Sequence, residues 1–159
     1  MAMKIWAKID GMPGSATESG RDDWCELRGF SHEMVYPFDM QDMSGTSEPK
    51  HGAVTLWKAI DKSSPKIYEA LAKKSQVASV EIEFERDNPN DGKTEVYYTM
   101  KLEDCRVIYA RPHVPNSQEI TDQSLPHMDQ VGFAYRKINW TWKSGGQVPT
   151  TFDFNDPNS

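Results

Sequence analysis

Apolar and polar residues alternate along much of the chain, and this two-residue period predicts a mainly β fold. The clearest case is residues 78–85, in which Ala78, Val80, Ile82 and Phe84 alternate with a serine and three glutamates. Such alternation is typical of a strand with one buried face and one face in water. We therefore expect an acidic, solvated outer face on this strand.

Other segments show the same period: residues 5–9, 24–32, 53–60, 94–109 and 131–142. In the last two of these segments the alternation changes phase once, which is typical of a bulge or bend in a long strand. Long bent strands favour curved sheets. We expect two curved antiparallel sheets that form a barrel or a tight sandwich.

One segment has a helical period instead. Pro65 suits the first turn of a helix, and a serine just before it is expected to supply the N-cap oxygen. Ile67, Ala70 and Leu71 have the i, i+3, i+4 spacing of a buried stripe. The pattern predicts one short α-helix over about residues 64–74, which must dock on the sheet because so short a helix is unstable alone.

Residues 33–52 combine a strand period with loop residues. Large apolar side chains stand at every second position in the first half, but Pro37 restricts such a strand to a sheet edge or an exposed arm. Residues 43–49 are typical of a loop. A long connection of this kind in a small domain is usually functional or mobile. This arm either folds back over its own core or reaches a neighbouring subunit, and its pattern favours neither.

Composition narrows the class of protein. The chain has 159 residues, which suits one domain, and we assign residues 1–143 to it. Residues 144–159 are rich in Gly, Pro and Asn, and we expect a flexible tail there. The net charge of -6 leaves no basic footprint for nucleic acid. No signal peptide and no membrane-spanning segment are expected, because the apolar runs are too short.

The residues with metal or nucleophilic chemistry form no recognisable site. The histidines are expected at the surface, since they lie in or beside loops and lack zinc-site spacing. Cys25 and Cys105 are expected as buried thiols, and a bridge between them stays open. No phosphate loop or nucleophile elbow is present. We therefore expect no cofactor, no metal and no enzymatic activity. The histidines are His32, His51, His113 and His127.

Two segments carry distinctive motifs: residues 57–65, at the predicted junction of strand and helix, and residues 134–140, in the predicted last long strand. They resemble the strand-to-helix junction and the final strand of the Hcp (haemolysin co-regulated protein) family. The opening residues 4–11 also fit, and the resemblance covers residues 3–143. The motif residues are Asp61, Lys62, Ser63, Ser64 and Pro65 at the helix start, and Tyr135, Arg136, Lys137, Ile138 and Trp140 in the final strand.

The resemblance implies a barrel of two curved sheets with one flanking helix. It also implies homohexameric rings that stack into the inner tube of a type VI secretion system. Such a tube has a contractile sheath around it, a valine-glycine-repeat spike at its tip and effector proteins in its lumen. The subunit would be made in the bacterial cytoplasm and secreted through the apparatus without a signal peptide.

The arm matches the extended loop of the family, which contacts the next ring. On that basis we expect Tyr36, Phe38 and Met40 to make the stacking contact, with Met34 and Met43 beside them. The arm of this chain is richer in aromatic residues and Met, and poorer in Gly, than that of many relatives.

Two alternatives belong to other classes of protein. A carbohydrate-binding β-sandwich would be a monomer with exposed tryptophans in a groove, and a small β-barrel enzyme would carry a site without a local signature. The five tryptophans stand in strand patterns, which favours core or interface positions for them over sugar stacking. They are Trp6, Trp24, Trp57, Trp140 and Trp142.

Overall fold

The structure is a computed structural model that describes residues 3–114 and 127–157. Residues 1–2, 115–126 and 158–159, which carry parts of the predicted domain and tail, lie outside the described residues. The elements are β1 (Ile5–Ile9), β2 (Cys25–Ser31), β3 (Met34–Val35), β4 (Phe38–Asp39), β5 (Ser44–Gly45), β6 (Lys50–His51), β7 (Val54–Ala59), α1 (Ser64–Ala72), β8 (Gln76–Asp87), β9 (Thr94–His113), β10 (Met128–Ala134), β11 (Lys137–Trp142) and β12 (Val148–Asp153).

Eight of the strands form one antiparallel sheet that closes on itself. Its order is β10-β7-β2-β1-β8-β9-β11-β12, and a further pairing between β10 and β9 completes a ring of strands. The predicted mainly β class, with a barrel and one helix, is confirmed over the residues that the structure describes. The two sheets expected from the sequence are one continuous sheet, because β9 is long enough to pair with both β10 and β11.

A bend in β9 explains its change of phase. Asp104 has a φ of 54°, a left-handed conformation, in the middle of the strand. On one side of this bend Glu103 pairs with Lys137 of β11, and on the other side Arg106 pairs with Ala134 of β10. The single strand thus changes partner at the point where the apolar alternation slips by one residue.

The interior follows the apolar alternation. Val80, Ile82 and Leu102 are fully buried, and Ile67 and Ala70 of α1 pack into the same core. Both cysteines are buried free thiols, as the sequence predicted. Burial raises the pKa of Cys25 to about 11 and that of Cys105 to about 12, so both thiols stay protonated near neutral pH.

The expected flexible tail needs correction. Val148–Asp153 form β12, which pairs along its whole length with β11, from Lys137↔Asp153 to Trp142↔Val148. Gly-, Pro- and Asn-rich segments have weak intrinsic strand propensity. Here the edge of β11 supplies the hydrogen bonds, so tertiary pairing overrides the local preference.

The acidic outer face of β8 is less solvated than its sequence indicated. Arg21, in the loop after β1, donates hydrogen bonds to Glu83 at 2.7 Å and to Glu85 at 2.6 Å. The same guanidinium lies 5.3 Å from the ring centroid of Trp6 and 4.7 Å from that of Trp24. These contacts fix the loop over the barrel wall, and they place Trp6 and Trp24 in structural roles.

An aromatic ring covers a glycine where β9 and β10 pair. Tyr109 of β9 lies over Gly132 of β10, and its hydroxyl is hydrogen-bonded to Thr55 of β7. A methyl group at Gly132 would stand 2.1 Å from Cε1 of Tyr109. Any larger residue at position 132 must therefore displace the Tyr109 ring.

We expect Gly132→Ala to lower the free energy of unfolding by about 1–3 kcal/mol, because the methyl group must displace a tyrosine that is held at its far end. Denaturant unfolding at fixed protein concentration measures the loss. In a protein that already carries Tyr109→Ala, Gly132→Ala should change the free energy of unfolding very little. Equal costs for Gly132→Ala in the two backgrounds would show that the ring does not impose the constraint.

Candidate functional site

The arm (residues 33–52) is a hairpin that extends from two neighbouring barrel strands. Its ladder has two short parts, with Met34 paired to His51 and Phe38 paired to Gly45. The backbone amide of Gly52 donates to the carbonyl of Glu33 at 2.7 Å and so joins the two ends of the arm. The segment read as a plain loop after Met43 is therefore partly the returning strand of this hairpin.

The arm exposes large apolar side chains. Met40 is 82% exposed, Met43 73% and Tyr36 55%, and Phe38 and Met34 are also exposed. The first of the two possibilities left open by the sequence, an arm folded over its own core, does not fit this exposure. A group of exposed apolar residues on one projecting element is typical of a contact surface.

Packing within the arm gives it a defined shape. The rings of Tyr36 and Phe38 meet edge to face at 5.6 Å, and Tyr36 also lies directly over Gly45. At the tip, one carboxylate oxygen of Asp39 accepts from the amides of Gln41 and Asp42. The amides of Asp42 and Gln41 lower the pKa of Asp39, so the turn keeps its charged acceptor.

Both ends of the arm meet at one buried tyrosine. The Tyr135 hydroxyl lies 2.5 Å from Nδ1 of His51 and 3.0 Å from Nε2 of His32. We call His32, His51 and Tyr135 the arm base. Both histidines are partly buried, which corrects their expected surface positions, whereas His113 and His127 are exposed. The sequence identified Tyr135 as a motif residue but did not relate it to the arm.

The helix-start motif takes part in a buried polar network. Lys58 and Asp129 are both 0% exposed. Lys58 Nζ lies 2.9 Å from Asp61, 3.0 Å from Ser64 Oγ and 3.3 Å from Asp129. Ser64 donates to the same oxygen of Asp129 at 2.5 Å, and Tyr68 donates to the other oxygen. The network joins β7, α1 and β10.

Two pKa shifts follow from this network. Burial by itself would raise the pKa of Asp61, but hydrogen bonds from Ser63 and Lys58 outweigh it, and the pKa lies below its ordinary value. Burial and the hydrogen bond to Asp129 raise the pKa of Tyr68 to about 12. Both groups therefore keep their ordinary charge near neutral pH, Asp61 ionised and Tyr68 neutral.

The predicted N-cap needs a correction. Ser63 stands at the N-cap position, but its side chain makes no capping hydrogen bond. Its hydroxyl instead donates to Asp61, which also accepts from the Ser63 amide at 2.9 Å. Pro65 does occupy the first turn, as predicted. The exposed Lys62 forms an ion pair with Asp23 at 3.2 Å.

The final-strand motif is split between interior and surface. Ile138 is fully buried, and Trp140 is partly buried against the core. Lys137 faces Glu103 at 3.5 Å, and the Arg136 guanidinium lies 4.0 Å from Asp104. The helix-start and final-strand motifs thus stabilise the barrel, and the exposed apolar residues of the arm are separate from both.

The buried network contains residue types that are common in catalytic sites. A serine, a lysine and an aspartate do meet in the buried network, but Lys58 and Asp129 have no exposed surface that a substrate could reach. Across residues 3–114 and 127–157, no cluster of three His, Cys, Asp or Glu side chains is arranged to hold a metal. In the same residues, no helix has the length and apolarity needed to cross a membrane.

The described residues thus form a closed antiparallel barrel with one docked helix and a projecting apolar arm. Residues 6–142 match the family described as "Type VI secretion system effector, Hcp". The chain belongs to the Hcp family.

Similarity to individual proteins supports this assignment. The major exported protein of Pseudomonas aeruginosa is 33% identical over 133 residues, which cover 84% of this chain and 77% of the relative. A crystal structure of an Hcp protein superposes with a TM-score of 0.85 at 26% identity, covering 96% of this chain and 98% of the other. The secreted protein Hcp3 from Pseudomonas aeruginosa has a TM-score of 0.74 at 25% identity, with 96% and 98% covered.

Sequence reasoning missed Lys58, the centre of the buried network. A signal was present, because Val54, Leu56 and Lys58 have the two-residue spacing of one strand face, and all three are fully buried. A lysine in register with two buried aliphatic residues indicates a buried charge that needs a partner. The partner, Asp129, stands in a distant strand, which the pattern could not identify.

We expect Asp129→Ala to lower the free energy of unfolding by about 2–4 kcal/mol, because it leaves the hydroxyl groups of Ser64 and Tyr68 without their acceptor and removes one of the two carboxylates that pair with the buried Lys58. Denaturant unfolding at fixed protein concentration measures this loss. Lys62→Ala, which removes an exposed ion pair, is the matched control and should cost about 0–1 kcal/mol. Similar costs for the two variants would contradict the structural role of the network.

Proposed function

We propose that this chain is the ring-forming subunit of the inner tube of a type VI secretion system. Six copies close into a ring, and rings stack into a tube whose lumen carries effector proteins. Membership of the Hcp family supports the number six and the tube. The observation that carries the proposal for this chain is the apolar arm, with side chains that its own barrel leaves exposed.

Ring closure and stacking need different surfaces. Head-to-tail contacts close into a ring when the rotation between neighbours permits, whereas stacking repeats along the ring axis without closing. A projecting hairpin suits the second task, because it extends beyond the wall from which it arises. We assign Tyr36, Phe38 and Met40 to the contact with the next ring, with Met34 and Met43 beside them.

The partners and route follow from the same assignment. The tube fits inside a contractile sheath and carries a valine-glycine-repeat spike at its tip. The subunit is made in the cytoplasm and leaves through the apparatus itself, so that no signal peptide is needed. One relative is named an exported protein and another a secreted protein, and both names support secretion of this chain. Its role is structural, and we assign no catalytic activity to it.

The alternative of a carbohydrate-binding module finds less support. Such a module needs several tryptophans on one open surface, but Trp6 is 1% exposed and Trp24 stacks on Arg21. Trp142 is exposed, and it packs against Tyr97 and Arg86 instead of standing in an open row. The tryptophans of this chain thus serve different parts of the barrel.

Native mass in solution tests ring formation directly. We expect light scattering after size-exclusion chromatography to give six times the chain mass of 18.1 kDa, or a multiple of that value for stacked rings. A single-chain mass at high protein concentration would refute the ring.

Phe38→Asp tests the stacking surface. We expect rings to stay intact but the concentration at which tubes form to rise by about tenfold or more, because losing a central aromatic contact costs over ~1.4 kcal/mol. Electron microscopy of tubes across a concentration series measures the change. Phe38→Leu, which stays apolar, is the control and should stack nearly as the parent does. Unchanged tube formation by Phe38→Asp would remove this residue from the contact.

A further inference from the structure

The arm base joins three parts of the chain through one hydroxyl group. His32 directly follows β2, His51 lies in β6 and Tyr135 lies between β10 and β11. The Tyr135 hydroxyl lies within hydrogen-bond distance of both imidazoles, at 2.5 Å and 3.0 Å. A two-stranded hairpin is only marginally stable by itself. The contacts at its base therefore contribute strongly to the orientation of the arm.

Two aromatic side chains, one in β12 and one just after it, pack against one of these histidines. The Phe152 ring stacks on His51 with centroids 5.0 Å apart, and Phe154 meets His51 edge to face at 4.8 Å. The Phe154 amide also donates to the Arg136 carbonyl at 2.9 Å, which holds this segment beside Tyr135. His51 thus sits in a largely apolar setting, which favours the neutral imidazole.

The hydrogen bonds of the arm base are complete only when at least one imidazole is neutral. A tyrosine hydroxyl donates one hydrogen bond and also accepts, and a neutral imidazole offers one donor and one acceptor nitrogen. One histidine can then accept from Tyr135 while the other donates to it. When both imidazoles are protonated, every ring nitrogen is a donor, and the tyrosine proton has no acceptor in the group. The two ring centroids are only 6.4 Å apart, so the like charges would also repel each other.

The two histidines have no carboxylate paired with them among the residues that the structure describes. The charged residues next to this group in the sequence are Glu33 after His32, Lys50 before His51, and Asp153 between Phe152 and Phe154. Arg136, next to Tyr135, directs its guanidinium towards Asp104. Within the described part of the chain, none of the ion pairs includes His32 or His51. Protonation of both histidines would therefore place two charges in a group without a paired carboxylate.

We propose that His32, His51 and Tyr135 form an acid-sensitive connection, which holds the arm in its stacking orientation at neutral pH and releases it when the histidines gain protons. This inference rests on the proposed function of the arm, because release matters only if the arm contacts another ring. The consequence is a tube whose rings separate more readily in acid than at neutral pH.

The direction of the pH effect follows from the pKa values. Burial lowers the pKa of His32 below its ordinary value of 6.5, and the nearby His51 lowers it further. Burial likewise lowers the pKa of His51 from 6.5. An arm that detaches and enters water regains the ordinary pKa and binds protons first. The closed arm base is therefore favoured above pH 6.5 and loses stability as the pH falls below that value.

Hydrogen exchange on the full-length protein tests the proposal. Exchange at the Gly52 amide, corrected for the intrinsic effect of pH, should become several-fold faster from about pH 7.5 to about pH 5.5. Exchange in β8 should stay constant over the same range. Replacing both histidines, in His32→Gln/His51→Gln, should abolish the pH dependence. His113→Gln, which removes an exposed histidine of β9, is the matched control and should behave as the parent does.

Tyr135→Phe separates the hydroxyl from the packing of the ring. It should speed exchange at Gly52 at both pH values while leaving β8 unchanged. Exchange at Gly52 that is independent of pH in the parent, or equal in parent and Tyr135→Phe at neutral pH, would overturn the proposal even if tubes form. The opposite result is also informative. If exchange at Gly52 depends on pH as expected but no tubes form at neutral pH, the stacking function is refuted and the acid-sensitive connection stands.

Discussion

The barrel depends on the pairing of one long strand with three others. β9 runs beside β8 along one edge, and along its other edge it pairs first with β11 and then with β10. The left-handed backbone at Asp104 makes the change of partner possible. Since β10 also pairs with β7, this bend closes the sheet, and the apolar faces of the strands fill the interior. The arm extends from β2 and β7, which are direct neighbours in this closed sheet, and its apolar side chains remain outside.

A second constraint fixes the helix against this barrel. Asp129 of β10 accepts hydrogen bonds from Ser64 and Tyr68, which are four residues apart and therefore lie on one face of α1. Lys58 of β7 reaches the same carboxylate from another strand. Ile67 and Ala70 pack into the core from the same helix. The apolar stripe and the shared carboxylate together specify which face of the helix meets the sheet.

Sequence patterns predicted the strands and the helix, which depend on residues close together in the chain. They did not predict which distant strands pair. The alternation at Val80 and Ile82 identified a half-buried strand, and the spacing of Ile67 and Ala70 identified the buried face of the helix. Closure through β9 and β10 was not predictable in detail, because no local pattern states which strands become neighbours. The same limit explains β12, whose residues have weak strand propensity and become a strand by pairing with β11.

The candidate site shows the same division. The large apolar residues of the arm were identified from their alternation, and their exposure in the structure agrees with a contact surface. Their support at the arm base was not identified, since it joins His32, His51, Tyr135 and the C-terminal Phe152 and Phe154 from separate segments. The segment expected to be a flexible tail thus packs against the base of the arm. Contacts from Phe152 and Phe154 therefore support the arm in addition to the pairing within its own hairpin. Changes in residues 148–154 should consequently alter the arm even though they lie outside it.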